Sequence, residues 1–132
     1  MRLTRKEAQA LGMATTGGHK YGARATMYNS VRYASAAEAA RAMELDVLLR
    51  AMEIQSWEHQ PRFELGVPEN VYVADFRITG PRGRVWVEDV KGMRTAKFNR
   101  DVRLWKSYGP CPLHILTRKG QGWEREIIEG KP

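Results

Sequence analysis

Hydrophobic residues are concentrated in two neighbouring segments near the middle of the chain. Residues 71–78 and 84–91 are rich in β-branched and aromatic side chains, as is typical of strands. Residues 79–83, between them, include two glycines and a proline, which favour a turn. The pattern therefore predicts an antiparallel hairpin. Further extended segments are predicted at residues 25–33, 54–58, 62–65, 113–117 and 123–128.

A capping box marks the start of a predicted helix. Ser35 and Glu38 have the spacing of that motif, so a helix is expected over residues 35–52. Hydrophobic residues recur there at helical spacing and predict a buried stripe, with Glu38 at its N-terminal end. The stripe consists of Ala42, Leu45, Leu49 and Met52.

Two more helices are predicted, over residues 4–11 and 95–108, and Thr95 is placed to cap the second of these. The order of helices and strands indicates a mixed α/β sheet flanked by helices. At 132 residues, the chain suits one compact domain over 1–132. Residues 1–24 are expected to form a basic, partly flexible N-terminal arm.

The composition is that of a globular protein, with 42% hydrophobic and 28% charged residues. No apolar stretch is long enough to cross a membrane, and no secretory signal is recognisable. The single cysteine, Cys111, excludes an internal disulfide and a cysteine-rich metal site. These features favour a cytoplasmic location.

The net charge of +7 favours a polyanionic partner, nucleic acid first and an anionic membrane surface second. The charge is unevenly distributed: +4 over residues 1–30, −3 over 31–90 and +7 over 91–119. An acidic centre between basic flanks is expected of a metal site inside a nucleic-acid groove. A chance distribution of a few charges is the alternative.

Acidic residues of the predicted hairpin form the candidate site. Alternation places Asp89 and Lys91 on one face of the strand and Glu88 on the other. A hairpin folded about Pro81 puts Asp75 opposite roughly position 87. Asp75 and Asp89 are then diagonal neighbours about 7–8 Å apart at Cα. Two such carboxylates can share a Mg²⁺ ion, and the alternative is an ion pair with Lys91.

Asp75, followed fourteen residues later by Asp89-Val90-Lys91, resembles the signature of the PD-(D/E)XK nuclease superfamily. Ala74 stands where that signature has its proline. Glu38 matches a glutamate that these nucleases commonly carry on the preceding helix. The wider set of motifs over residues 20–108 resembles a small phage-encoded endonuclease family.

The resemblance implies a restriction-endonuclease-like core and a metal-dependent DNA endonuclease, with branched DNA such as a Holliday junction as substrate. Glu38, Asp75, Asp89 and the Val90 carbonyl would hold Mg²⁺ or Mn²⁺. Lys91 would orient the attacking water, and Gln60 would reach that water or the scissile phosphate. A homodimer would place two such sites for paired nicks in phage recombination.

Basic residues are expected to contact backbone phosphates. They are Lys20, Arg24, Arg94, Lys97, Arg100 and Arg103. His59 and His114 are expected to be structural. Two other functions stay open: a non-catalytic nucleic-acid-binding module that keeps the nuclease fold, and a phage accessory protein that binds a host protein through exposed aromatic residues.

Overall fold

The computed structural model of the chain describes residues 14–18 and 24–132. The predicted helix over residues 4–11 and the predicted DNA contact Lys20 lie outside these residues. Neither described helix is long and apolar enough to cross a membrane.

The first three strands form an antiparallel sheet: β1 (Ala14–Gly18), β2 (Arg24–Tyr28) and β3 (Val31–Tyr33). Asn29 and Ser30 join β2 to β3 with φ angles of 51° and 65°, as a tight type I′ turn requires. The segment predicted as extended over residues 25–33 is therefore a hairpin: its two halves are extended, as predicted, but the turn at Asn29 and Ser30 divides them. Part of the expected N-terminal arm forms β1, whose backbone pairs with β2.

Helix α1 (Ala36–Arg50) begins at Ser35, whose side chain accepts a hydrogen bond from the Glu38 N–H at 3.1 Å. Ala42 and Leu45 are buried, as the stripe predicts. Leu49 and Met52, however, are 38% and 88% exposed, so this end of the predicted stripe is wrong. The helix ends before Met52, whose φ of 61° takes it off the helical face.

A five-stranded mixed sheet forms the centre of the described structure, in the order β10-β9-β8-β7-β4. Its strands are β4 (Ser56–His59), β7 (Phe76–Thr79), β8 (Val85–Val90), β9 (Leu113–Lys119) and β10 (Gly122–Ile128). Only the β8–β9 pair is parallel among these strands, because helix α2 (Ala96–Tyr108) connects them. The predicted mixed α/β architecture is confirmed, and β10 lies at the predicted edge.

The predicted hairpin is present, but its first strand is divided. β7 pairs with β8, whereas β6 (Val71–Val73) pairs with β5 (Arg62–Glu64) in a separate two-stranded sheet. The chain bends at Ala74 and Asp75, where the Ala74 N–H donates to the Pro61 carbonyl and the Gln60 N–H donates to the Asp75 carbonyl. The single strand predicted over 71–78 is therefore wrong.

Two hydrophobic clusters lie on opposite sides of the central sheet. Alternation along β8 sends Val87 into the cluster with α2 and Trp86 into the cluster with α1. Thr95 caps α2 by accepting a hydrogen bond from the Phe98 N–H at 3.1 Å, as predicted. The result is a central sheet with one helix packed against each face, and the candidate residues lie where β8 ends.

Candidate active site

Three elements bring the predicted acidic residues to one place. Glu38 is in the first turn of α1, Asp75 is at the bend between β6 and β7, and Asp89 is the penultimate residue of β8. The Asp75 carboxyl lies within hydrogen-bonding reach of both the Glu38 and the Asp89 carboxyls. Residues far apart in sequence thus form one cluster, which we call the carboxylate cluster: Glu38, Asp75 and Asp89.

Glu38 is held from both sides of the helix start. Its side chain is only 4% exposed. Oε2 accepts a hydrogen bond from the Ala34 N–H at 2.9 Å, which completes the capping box one residue before Ser35. Oε1 faces His59, with Nε2 of that residue 3.8 Å away. Capping thus occupies one carboxylate oxygen and leaves the other directed to the cluster.

Asp75 is anchored to the end of β8. Its Oδ2 accepts a hydrogen bond from the Val90 N–H at 2.7 Å. The expected register is wrong: Arg77, and not Asp75, lies opposite Val87. The hairpin turns about Arg82 instead of Pro81, since Pro81–Gly83 forms a 3-10 turn, and this shifts each pairing by two residues. The ladder, continued by one pair, places Asp75 directly opposite Asp89.

Asp89 is 1% exposed and has two unequal oxygens. The Tyr72 hydroxyl donates a short hydrogen bond to Oδ2. Oδ1 has no hydrogen-bond partner among the described residues, although Nζ of Lys91 is 3.3 Å away. A buried carboxylate oxygen without a hydrogen bond is costly. Oδ2 of Asp89 therefore has a hydrogen-bond partner, whereas Oδ1 has none among the described residues.

Burial and mutual repulsion favour the protonated forms of Asp75 and Asp89. Burial, with the Glu38 carboxyl second, raises the pKa of Asp75 to about 7. Burial, with the Asp75 carboxyl second, raises the pKa of Asp89 to about 8. Like charges in a buried site cannot all ionise cheaply, so protons are retained near neutral pH. A divalent cation would supply the positive charge that these protons now provide.

Lys91 follows β8 and is partly exposed. Its Nζ lies 4.5 Å from the centre of the Phe98 ring, in the first turn of α2, which is a favourable cation–π distance. Its backbone N–H donates to the Leu116 carbonyl at 2.8 Å. The ammonium group is therefore fixed at the edge of the cluster, between the buried acids and solvent.

The backbone of Gln60 lies beside the carboxylate cluster. The residue is exposed and adopts a left-handed conformation with φ of 56°. Its N–H donates to the Asp75 carbonyl at 2.9 Å. The structure therefore places Gln60 next to Asp75 with its side chain accessible to solvent.

Glu88 points to the opposite face, as alternation predicts. It is fully buried and accepts two hydrogen bonds from the Arg41 guanidinium, at 2.7 and 2.9 Å. Trp86 donates a third, at 2.9 Å. The Arg41 pair holds the pKa of Glu88 below its usual range against the effect of burial. Glu88 is a structural ion-pair residue and takes no part in the cluster.

Four of the predicted phosphate contacts, Arg94, Lys97, Arg100 and Arg103, are exposed on α2 or just before it. Three of them already have partners: Arg94 with Glu126 at 2.7 Å, Lys97 with Asp101 at 3.1 Å, and Arg100 with Asn70 at 2.9 Å. Arg103 is exposed on α2, and Arg24 is exposed at the start of β2. Exposed ion pairs and hydrogen bonds of this kind contribute little to stability.

Two residues near the cluster, Tyr72 and His59, belong to no sequence motif that would identify them. Tyr72 reaches Asp89 only because β6 leaves the central sheet. His59 lies beside Glu38 at the edge strand β4, and burial lowers its pKa. His59 also stacks near Tyr33, with ring centres 4.6 Å apart. Only the tertiary structure relates these two side chains to the acids.

The donor set suits a hard divalent cation, since carboxylate oxygens are the ligands that Mg²⁺ and Mn²⁺ prefer. The buried Asp89 Oδ1, without a hydrogen bond from any described residue, fits the same role. As the side chains stand, no group of three or more His, Cys, Asp or Glu residues in the described segments is arranged to hold a metal ion.

The fold and the cluster define a small mixed α/β protein with a buried acidic site at one end of its central sheet. Residues 18–116 match the family model described as a protein of unknown function, DUF1064. This match covers about three quarters of the chain and includes the whole carboxylate cluster, and the chain belongs to that family. No curated protein and no solved structure matches the chain.

Proposed function

We propose that this protein is a metal-dependent endonuclease with a restriction-endonuclease-like core that hydrolyses DNA phosphodiester bonds. The observation that carries the proposal is the convergence of three carboxyl groups from separate elements beside one lysine. Two of these groups have raised pKa values, and one buried oxygen has no hydrogen bond from the described residues. Such perturbed acids are typical of functional sites.

Glu38, Asp75 and Asp89 would hold Mg²⁺ or Mn²⁺, with the Val90 carbonyl as a further ligand. Such an ion supplies a Lewis acid for the phosphate and lowers the pKa of a bound water. Tyr72 keeps Oδ2 of Asp89 occupied, and the Val90 N–H keeps Oδ2 of Asp75 occupied. The other oxygen of each aspartate would then be the one that holds the cation.

Lys91 is suited to orient the attacking water and to stabilise negative charge on the phosphate, because its ammonium is held 3.3 Å from Asp89 at the border with solvent. Gln60 is suited to contact the scissile phosphate, since its backbone is anchored to Asp75 and its side chain is exposed. Both residues would act on the substrate from the open side of the cluster.

DNA is the proposed substrate because basic residues continue from Lys91 along exposed positions of α2. The net charge of +7 supports the same choice. Branched DNA is proposed as the preferred form, since so small a chain has little surface for reading a base sequence. A homodimer with two sites is proposed for paired cuts in a junction.

Cleavage of labelled four-way junction, linear duplex and single-stranded DNA in Mg²⁺ or Mn²⁺, with an EDTA control, tests the proposal. Asp89→Asn and Lys91→Met should each abolish metal-dependent cuts. Asp101→Asn and Lys119→Met make the same changes outside the cluster and should cut normally. Cuts in the junction alone would support the branched substrate, and cuts in every DNA would refute it.

If the unchanged protein cleaves no DNA in either Mg²⁺ or Mn²⁺, the proposal that it is an enzyme is refuted. If salt-sensitive DNA binding persisted in that case, the protein would be a non-catalytic nucleic-acid-binding module. Equal cleavage by the unchanged protein and Asp89→Asn would show that the activity belongs to another site or to a contaminant.

A further inference from the structure

His59 has an unexplained buried nitrogen at the carboxylate cluster. It is the last residue of β4, and its backbone pairs with Phe76 of β7. Nε2 is buried without a hydrogen-bond partner among the described residues, and it lies 3.8 Å from Oε1 of Glu38. The ring is held between Tyr33 and Phe76, at centre distances of 4.6 and 5.8 Å. Nε2 is therefore aimed at Glu38 by packing and not by a hydrogen bond.

The separation of 3.8 Å is at the long end of ion-pair distances, and an ion pair requires a protonated imidazole. It is too long for a direct N–H···O hydrogen bond. A bridging water needs roughly 4.5 Å between its two partners, since each hydrogen bond is about 2.8 Å long. Two donor atoms that bind one cation at about 2.1 Å each stand roughly 3–4 Å apart. The Glu38 and His59 atoms are at this last separation.

We infer that Nε2 of His59 is a nitrogen ligand of the same cation that Glu38 binds, and that the site therefore prefers Mn²⁺ to Mg²⁺. This inference rests on the proposed metal site. Mg²⁺ keeps oxygen ligands and water, whereas first-row transition ions accept imidazole readily. A mixed set of carboxylate oxygens and one imidazole nitrogen thus shifts the preference to Mn²⁺. His59 is then a ligand, and not a structural residue as the sequence suggests.

Electron paramagnetic resonance of Mn²⁺ bound to the full chain tests the inference without any cleavage assay. Electron spin echo envelope modulation detects a ¹⁴N nucleus bonded to the ion. The unchanged protein should show this modulation, and His59→Gln and His59→Phe should lose it. The second variant keeps an aromatic ring against Tyr33 and Phe76, so the fold survives in at least one of the two.

His114→Gln and His19→Gln are the matched controls and should keep the modulation. His114 is buried on β9, where it stacks on Trp86 and contacts Arg125. The His59 variants should also weaken Mn²⁺ binding by about tenfold or more, with a smaller change for Mg²⁺.

The variant Asp89→Asn tests the proposed metal site separately from the proposed role of His59. The metal site and the role of His59 are both supported if Asp89→Asn abolishes Mn²⁺ binding and the ¹⁴N modulation depends on His59. The same Asp89-dependent binding without ¹⁴N modulation overturns the role of His59 and leaves the metal site standing. Absence of any Asp89-dependent Mn²⁺ binding overturns both.

Discussion

Replacing Asp89 by asparagine should stabilise the metal-free protein at alkaline pH while it removes the proposed activity. In the folded protein Asp89 is buried against Asp75, and its ionised form is disfavoured. The asparagine amide has nearly the same shape as the protonated acid and still accepts a hydrogen bond from Tyr72. The substitution therefore removes a buried charge without creating a cavity.

The magnitude follows from proton linkage. The unfolded chain releases the Asp89 proton near pH 3.8, whereas the folded chain keeps it to about pH 8. Between these values the folded state binds more protons, so the free energy of unfolding falls as the pH rises, by about 1.4 kcal/mol per pH unit for one carboxyl. For Asp75 the loss extends from pH 3.8 to about 7, which is roughly 4 kcal/mol.

Asp75 and Asp89 titrate as a pair, so the two losses are not added. We expect Asp89→Asn to gain on the order of 4 kcal/mol at pH 9, and the gain to shrink steadily towards pH 4. Below pH 3.8 both states carry the proton, and the two proteins should be equally stable. A substitution of a buried polar residue that stabilises the protein is unusual, since most substitutions lower the free energy of unfolding.

Urea unfolding in EDTA, followed by the fluorescence of the four tryptophans, measures the effect at pH 4, 6, 7.5 and 9. Asp101→Asn removes an acid that pairs with Lys97 outside the cluster, and it should show no gain at pH 9. If Asp89→Asn is less stable than the unchanged protein at pH 9, the acids are a structural ion cluster with Lys91, and the reasoning is refuted.

Three other substitutions test the packing by urea unfolding. Arg41→Met removes the two short guanidinium contacts of buried Glu88, leaves it the longer contact with Arg125 at 3.5 Å, and should cost up to about 3–5 kcal/mol; a loss below about 1 kcal/mol would contradict the buried pair. Gly109→Ala drives a Cβ into the Trp105 indole and should cost about 1–3 kcal/mol, and an unchanged midpoint would contradict this close approach. Thr95→Ala removes the cap of α2 and should cost about 1 kcal/mol, whereas Thr95→Ser should cost less.

Local sequence signals predicted the two described helices and most strands correctly, whereas the predicted helix over residues 4–11 lies outside the described residues. Capping by Ser35 and Thr95 requires only residues three positions apart, so these helix starts are readable without knowing the fold. Alternation along β8 likewise separates Asp89 from Glu88, because the period of two is a property of the strand itself. The same reasoning failed at Met52, where a left-handed residue ends the helical face.

Non-local contacts decided how the candidate site is built. Asp75 was expected within a strand, yet it lies at the bend between β6 and β7, where β8 ends and the pairing of β4 with β7 continues in the same register as that of β5 with β6. That bend carries Tyr72 to Asp89, a contact which no spacing in the sequence indicates. The register also depended on a turn centred at Arg82, one residue from the expected position.

The sequence by itself determined the mixed α/β class, the helix starts, the placement of Asp89 on the strand face opposite to Glu88, and the basic segment after Lys91. Each of these depends on neighbours within a few residues. The tertiary structure alone brought Glu38, Asp75 and Asp89 together, raised the pKa values of the two aspartates by burial, and placed His59 beside Glu38. Hydrogen-bond geometry and desolvation depend on which elements pack together, and chain spacing does not encode that packing in any local pattern.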